Sequence, residues 1–188
     1  QVGLGYINVD SLRIDGSQRL KGKRDIWMPF GSVTVRNKIY EFKNGTFTPY
    51  GRGEVAFIQL DPYSEQGGNL ALSYNKQTID RYMLFLGSDI NFNKEYKNGK
   101  LKPFAAVEYG LDLSSNSDVK MNYVGSSTVY QTELEKLASS NVMMKLGLDY
   151  EGKDQTNSAF SYERNEAIGA GHSNSIQIKF SKTLGKVK

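Results

Sequence analysis

Between Thr46 and Leu113 the chain alternates apolar residues with polar or small ones. Three long runs, around Tyr50, Leu84 and Val107, are separated by Gly-, Asn- or Pro-bearing breaks. Successive side chains of an extended strand point to opposite faces, so a period of two describes a two-faced sheet. One face carries Val55, Phe57, Tyr82, Leu84, Leu86, Ile90, Phe92, Ala105, Val107, Tyr109 and Leu111. The other carries Arg52, Glu54, Arg81, Asp89, Asn91, Lys102, Glu108 and Asp112. Such a sheet must lay its oily face against something, and the choices are a protein core or a lipid bilayer.

The same period runs through most of the chain. Residues 1–10 read as a strand, and Ser11–Lys23 as a polar surface loop punctuated by Gly16 and Gly22. Asp25–Phe42 is β-rich, and its Val33, Val35, Ile39 alternation slips near Tyr40, which predicts a bulge. Lys43–Gly45 is a tight-turn signal before the strand Thr46–Leu60. Asp61–Asn69 and Lys76–Asp80 read as turns flanking the short strand Leu70–Asn75. Arg81–Phe92 runs back to the charged turn Asn93–Lys100, and Leu101–Leu113 follows. Asp118–Tyr130 is a weaker strand, and Gln131–Ser140 fits a helical turn through Leu134 and Leu137 as well as a strand. The alternation is cleanest in Val142–Tyr150, where Lys145 and Asp149 take the polar side. Ser158–Arg164, with Glu163 on its polar side, leads to the last turn, Asn165–His172. Ser175–Phe180 sets Lys179 against Ile176, Ile178 and Phe180. These runs make about nine or ten strands with hairpin-like breaks and no βαβ rhythm, hence an all-β antiparallel meander.

Strand length and charge phase weigh against a soluble sandwich. Sandwich strands are typically about five or six residues long, whereas a bilayer-crossing strand needs about 9–11. Several runs here reach the second length, and their mid-strand charges all share one parity. That phase keeps them off a lipid face, where Arg or Lys at the midplane costs roughly 2–4 kcal/mol. The expectation is a transmembrane β-barrel. Its pore would be lined by Arg52, Glu54, Arg81, Asp89, Lys102, Glu108, Asp112, Lys145, Asp149, Glu163 and Lys179. Tyr74, Tyr82, Tyr109, Tyr150 and Tyr162 stand near strand ends, as interfacial girdles require, while the parity of Tyr50 turns it to the pore.

Other chemistries find little support. No run approaches the length of a transmembrane helix, and the absence of cysteine excludes disulfides and thiolate metal sites. The net charge of +4 has local density only in Arg19–Arg24 and Lys179–Lys188. Neither segment is interleaved with the aromatics of a nucleic-acid-binding sheet, so they read as solvated charge. His172, the one histidine, lies in a Gly-flanked turn and reads as a solvated residue. Ser114–Asp118 does not match a calcium-loop spacing. No catalytic, cofactor-binding or metal-binding residue is assigned. The mid-strand glycines Gly51, Gly53, Gly87, Gly110 and Gly147 form no phosphate loop, and would ease strand curvature or leave pore space for a threaded segment.

An ordered set of short motifs completes the reading: Phe30–Val33 (FGSV), Thr48–Arg52 (TPYGR), Leu60–Glu65 (LDPYSE), Leu72–Gln77 (LSYNKQ), Leu86–Ser88 (LGS), Leu101–Leu113 (LKPFAAVEYGLDL) and Leu146–Gly152 (LGLDYEG). The series, from about Asp25 to the terminal strand at Phe180, resembles the C-terminal translocator domain of bacterial autotransporters, the type V secretion barrels. The resemblance implies a twelve-stranded barrel in the outer membrane of a Gram-negative bacterium, with lipid, the barrel-assembly machinery and its own passenger and linker helix as partners. It implies no enzyme, no cofactor and no nucleic acid. Residues 1–188 would then be one β-barrel domain, an N-terminally truncated piece of a translocator, since the chain opens on Gln1 within a strand pattern and without a signal peptide. The family's terminal aromatic, read by the assembly machinery, corresponds to Phe180, here followed by SKTLGKVK. Two other readings compete: a stand-alone small barrel acting as porin or adhesin, and a soluble ligand-binding β-sandwich.

Overall fold

The computed structural model describes residues 1–38, 40–136 and 138–183. Among them there is no helix, and the chain forms fourteen strands. They are β1 (Val2–Asp15), β2 (Gln18–Arg36), β3 (Tyr40–Phe42), β4 (Gly45–Leu60), β5 (Tyr63–Ser64), β6 (Leu72–Tyr74), β7 (Gln77–Phe92), β8 (Lys94–Tyr96), β9 (Gly99–Asp112), β10 (Ser117–Tyr123), β11 (Tyr130–Leu134), β12 (Ser140–Gly152), β13 (Thr156–Ala167) and β14 (Gly171–Lys182). Eight long strands follow one another in the hydrogen-bonded order β1-β2-β4-β7-β9-β12-β13-β14, with β3 added to β4 and β8 to β9. A second sheet has the order β11-β10-β6-β5.

The antiparallel meander stands, with a corrected strand inventory. Two of the expected runs, Leu70–Asn75 and Asp118–Tyr130, leave the main sheet as β6 and β10 and build the second one with β5 and β11. Ser11–Lys23 is no loop. It is the closed end of the β1–β2 hairpin, paired from Asp10↔Lys23 to Asp15↔Gln18 and turned at Gly16 with φ of 57°. The ladder satisfies the backbone there whatever the side chains are, so polar composition marks where a strand is wet and not where it stops. β2 ends at Arg36, and β3 opens a hairpin closed by Lys43–Asn44. Gln77–Asp80 belongs to β7 instead of a turn, and His172 pairs with Glu166 inside β14 instead of lying in a loop. Gln131–Leu134 is strand, while Ile39 and Leu137, on which the slip and the helical turn rested, lie outside the described residues.

The chain divides into two compact units. The first comprises Gln1–Val33, Gly53–Met83 and Asp112–Leu137. Here the β1–β2 hairpin is tied to the β5–β6 connection by an ion pair. Arg13 donates from Nε and Nη2 to the two carboxylate oxygens of Glu65 at 3.0 and 2.6 Å, and also to the Leu70 carbonyl at 2.8 Å. Glu65 further accepts the Leu72 N–H at 2.9 Å. The Arg13 guanidinium holds this buried carboxyl below the ordinary glutamate range. Tyr63 and Tyr74 stack at 4.7 Å between centroids, so Tyr74 serves the small sheet and not a girdle.

The second unit comprises Thr34–Arg52, Leu84–Leu111 and Ala138–Lys188. Its ladder runs β9–β12–β13–β14 in unbroken antiparallel register, which places Leu146 opposite Ala105 and Tyr162, and Lys145 opposite Ala106 and Glu163. Parity alone therefore sorts the side chains of neighbouring strands onto common faces.

Candidate functional site

The two faces differ in the reverse of the usual sense. On the apolar parity Leu84, Leu86, Val107, Met144, Leu146 and Phe160 are between 46% and 71% exposed. Buried apolar residues, by contrast, are only Leu20, Tyr50, Ala71 and Phe85 among the described residues, and buried polar ones are Glu65, Gln77 and Glu108. Water-soluble monomers do not display apolar surface on this scale.

The buried polar residues of the long strands belong to the charged parity. In the second unit Glu108 is 7% exposed and accepts two hydrogen bonds, from the Tyr50 hydroxyl at 2.7 Å and from Arg52 Nη2 at 2.8 Å. The Arg52 guanidinium lies 4.2 Å above the Phe85 ring, a cation–π contact. Arg36 covers the Tyr50 ring at 4.7 Å and donates to Asp89 at 3.0 Å. One carboxylate is thus fixed by two donors, and two guanidiniums are each held by both an aromatic face and a carboxylate. The arrangement holds charge in place without a free nucleophile or a general base aimed at open space.

The remaining expected pore residues sort as follows. Lys145 pairs with Glu163 across β12–β13 at 3.3 Å. Lys102 pairs with Glu151 at 2.5 Å and stands opposite Asp149 in the register. Lys102, Asp149, Asn91 and Phe104 line a cleft of about 510 Å³ beside the 41–46 turn. Glu54 is half-buried on the polar parity in the first unit, as is Asp112, whose carboxylate accepts the Ser114 N–H at 2.9 Å. Arg81 is exposed near the start of β7, and Lys179 is exposed on β14, opposite Ala159.

Three partners escaped the sequence reading: Arg36, Phe85 and Glu151. All three continue the charged parity of their strands, so the signal was present. Phe85 was passed over because an aromatic ring on a polar face reads as noise until its neighbour is seen. That neighbour is a glycine. A Cβ on Gly110 would run into the Phe85 ring, one on Gly87 would come within 2.5 Å of the Tyr50 ring, and one on Gly147 would overlap Phe104. In each case the ring stands on one strand and the glycine on the next strand of the sheet. These three glycines therefore accommodate aromatic rings of the sheet itself.

An antiparallel meander with an exposed apolar face and an ion-paired polar face is the wall of an outer-membrane β-barrel. Membership can be stated more closely: the Autotransporter beta-domain family matches residues 1–163, and the chain belongs to it. It is a translocator domain of type V secretion, which implies the bacterial outer membrane. The match starts at the first residue, earlier than the motif series, and leaves the strand around Phe180 outside it. A search of curated proteins returned no match.

Proposed function

We propose that the domain exports a passenger segment through the outer membrane and anchors it at the cell surface. The observation that carries this reading is the inverted burial, with the apolar parity exposed and Glu108 buried among Tyr50, Arg52 and Phe85. The apolar face meets lipid. The polar parity, Arg52, Glu54, Arg81, Asp89, Lys102, Glu108, Asp112, Lys145, Asp149, Glu163 and Lys179, lines the pore and contacts the passenger linker. Because opposite charges there are already matched within the wall, a passing polypeptide meets fixed dipoles instead of unbalanced charge and is not trapped. No covalent step is part of the role. The exposed aromatic Phe180, 72% exposed on β14, is offered to the barrel-assembly machinery.

Orientation follows from the connections. Those between β4 and β7 and between β9 and β12 are the long ones and hold the second sheet, and no connection at the opposite end is as long. Outer-membrane barrels have their short turns on the periplasmic side, so the β2–β4, β7–β9 and β12–β13 ends face the periplasm. The test is purification: the protein should require detergent and should migrate as a heat-modifiable β-rich species in electrophoresis. A monodisperse soluble protein without detergent would refute the reading.

A further inference from the structure

The connections at the β2–β4, β7–β9 and β12–β13 ends are joined into one row by backbone hydrogen bonds. Asn93 N–H donates to the Asn44 carbonyl at 2.7 Å, Lys153 N–H to the Asn98 carbonyl at 3.0 Å, and Thr183 N–H to the Gln155 carbonyl at 3.2 Å. All lie in the second unit. This row carries Lys43, Lys94, Lys97, Lys100, Lys153 and Lys182, every one exposed. Its acids are fewer: Glu41, Glu95, Glu151 and Asp154. Some of them are committed locally, since Glu95 takes Lys100 at 2.9 Å and Asp154 caps the N–H and hydroxyl of Thr156. Exposed aromatics stand among the lysines: Tyr40 at 63%, Phe92 at 43% and Tyr96 at 47%. Lys94 Nζ sits 5.3 Å from the Tyr96 ring centre.

Ammonium groups beside half-exposed aromatic rings, at the end of strands whose apolar side is bare, match the composition of a membrane interface. At such an interface rings sit at headgroup depth, and lysine stems lie along the apolar surface while their charges reach phosphate. We propose that this lysine row is a seat for anionic phospholipid headgroups, at the leaflet that borders the short turns. It rests on the membrane-barrel reading and adds a lipid class and a place to it. Attraction between lysines and an anionic leaflet fixes which end of the wall stays at that leaflet, so the row also holds the strand tilt and depth against slippage.

The test uses the chain reconstituted in neutral phosphatidylcholine vesicles doped with a trace of spin-labelled lipid. Wild type is compared with a variant carrying Lys43→Gln, Lys94→Gln, Lys97→Gln and Lys153→Gln. The immobilised fraction of labelled phosphatidylglycerol should exceed that of labelled phosphatidylcholine by about fivefold in wild type, the ratio that one lysine near an anionic surface supplies. In the variant the ratio should fall close to one, while its heat-modifiability stays as in wild type. Equal immobilisation of both lipids by wild type would overturn the proposal while leaving the barrel intact. Loss of the preference on adding inorganic phosphate, but not chloride of equal ionic strength, would assign the row to free phosphate and overturn it as well. Failure of both proteins to enter vesicles would refute the barrel itself, and the lipid seat with it.

Discussion

Replacing Glu108 by Ala removes the one carboxylate on which the second unit's polar face converges. It accepts from Tyr50 at 2.7 Å and from Arg52 at 2.8 Å, and is itself nearly inaccessible. Taking one partner from a fully buried ion pair costs about 3–5 kcal/mol. The Arg52 side chain is 31% exposed, so water recovers part of its charge and the expectation drops to roughly 2–3 kcal/mol. Glu108→Gln keeps an oxygen for the Tyr50 hydroxyl and nearly the same volume, and should lose only about 1–1.5 kcal/mol, the charge-assisted part. Combining Glu108→Ala with Arg52→Ala should cost less than the sum of the two, with a coupling of about 1–2 kcal/mol. The assay is guanidinium unfolding of the detergent-refolded protein, followed by the emission of Trp27, the sole tryptophan, which is 43% exposed. A Glu108→Ala protein within about 0.5 kcal/mol of wild type, as for an ordinary surface substitution, would refute the argument. So would additivity of the two alanine substitutions.

Three further outcomes follow from other parts of the molecule. The depressed Glu65 carboxyl binds its proton more weakly folded than unfolded, so its contribution is complete above the ordinary glutamate value near 4.3 and is lost as pH falls through the lower folded value. Acid titration should therefore free the β5–β6 connection, read as faster amide exchange at Leu72, and Glu65→Gln should show that faster exchange already at neutral pH. Gly110→Val would force its side chain into Phe85 and should destabilise by about 1–3 kcal/mol; Phe85→Ala in the same chain should relieve part of the loss, and a neutral Gly110→Val would contradict the packing. Leu146→Arg, at a position 60% exposed, should cost about 2–4 kcal/mol in phospholipid vesicles, because its parity points to lipid. An unchanged unfolding midpoint in vesicles would show that this face meets water.

The long strands were legible because their signal is local. β4, β7, β9 and β12 each alternate over most of their length, with few exceptions such as Phe85, and a polar, Gly- or Pro-bearing break follows each run. What was illegible is what depends on a neighbour. Ser11–Lys23 looks like a loop until its register against the first strand is known, since Gly22 lies opposite Ser11 and Arg13 finds Glu65 far along the chain. Leu72–Tyr74 and Ser117–Tyr123 look like wall strands by period, but their length admits only a small separate sheet. Parity groups these charged residues on one face already in the sequence, whereas their pairing cannot be read from it. Arg52 chooses Glu108, and Lys102 chooses Glu151 over the Asp149 it directly faces, through the stagger of adjacent strands.

Period two makes this wall intolerant of register error in a way that a soluble sheet is not. A slip of one residue in β12 would turn Lys145 and Asp149 to the face now held by Met144, Leu146 and Leu148. In water such a slip exchanges one set of half-exposed side chains for another. Against lipid it places a lysine at roughly 2–4 kcal/mol and also breaks its pair with Glu163. The ring-and-glycine contacts oppose the slip from the other face. Phe104 fits over Gly147 only when the two are opposite, as they are in the β9–β12 ladder. The charges and the glycines on the polar parity thus specify the same register independently, and that register is what keeps the apolar parity continuous from β4 to β14.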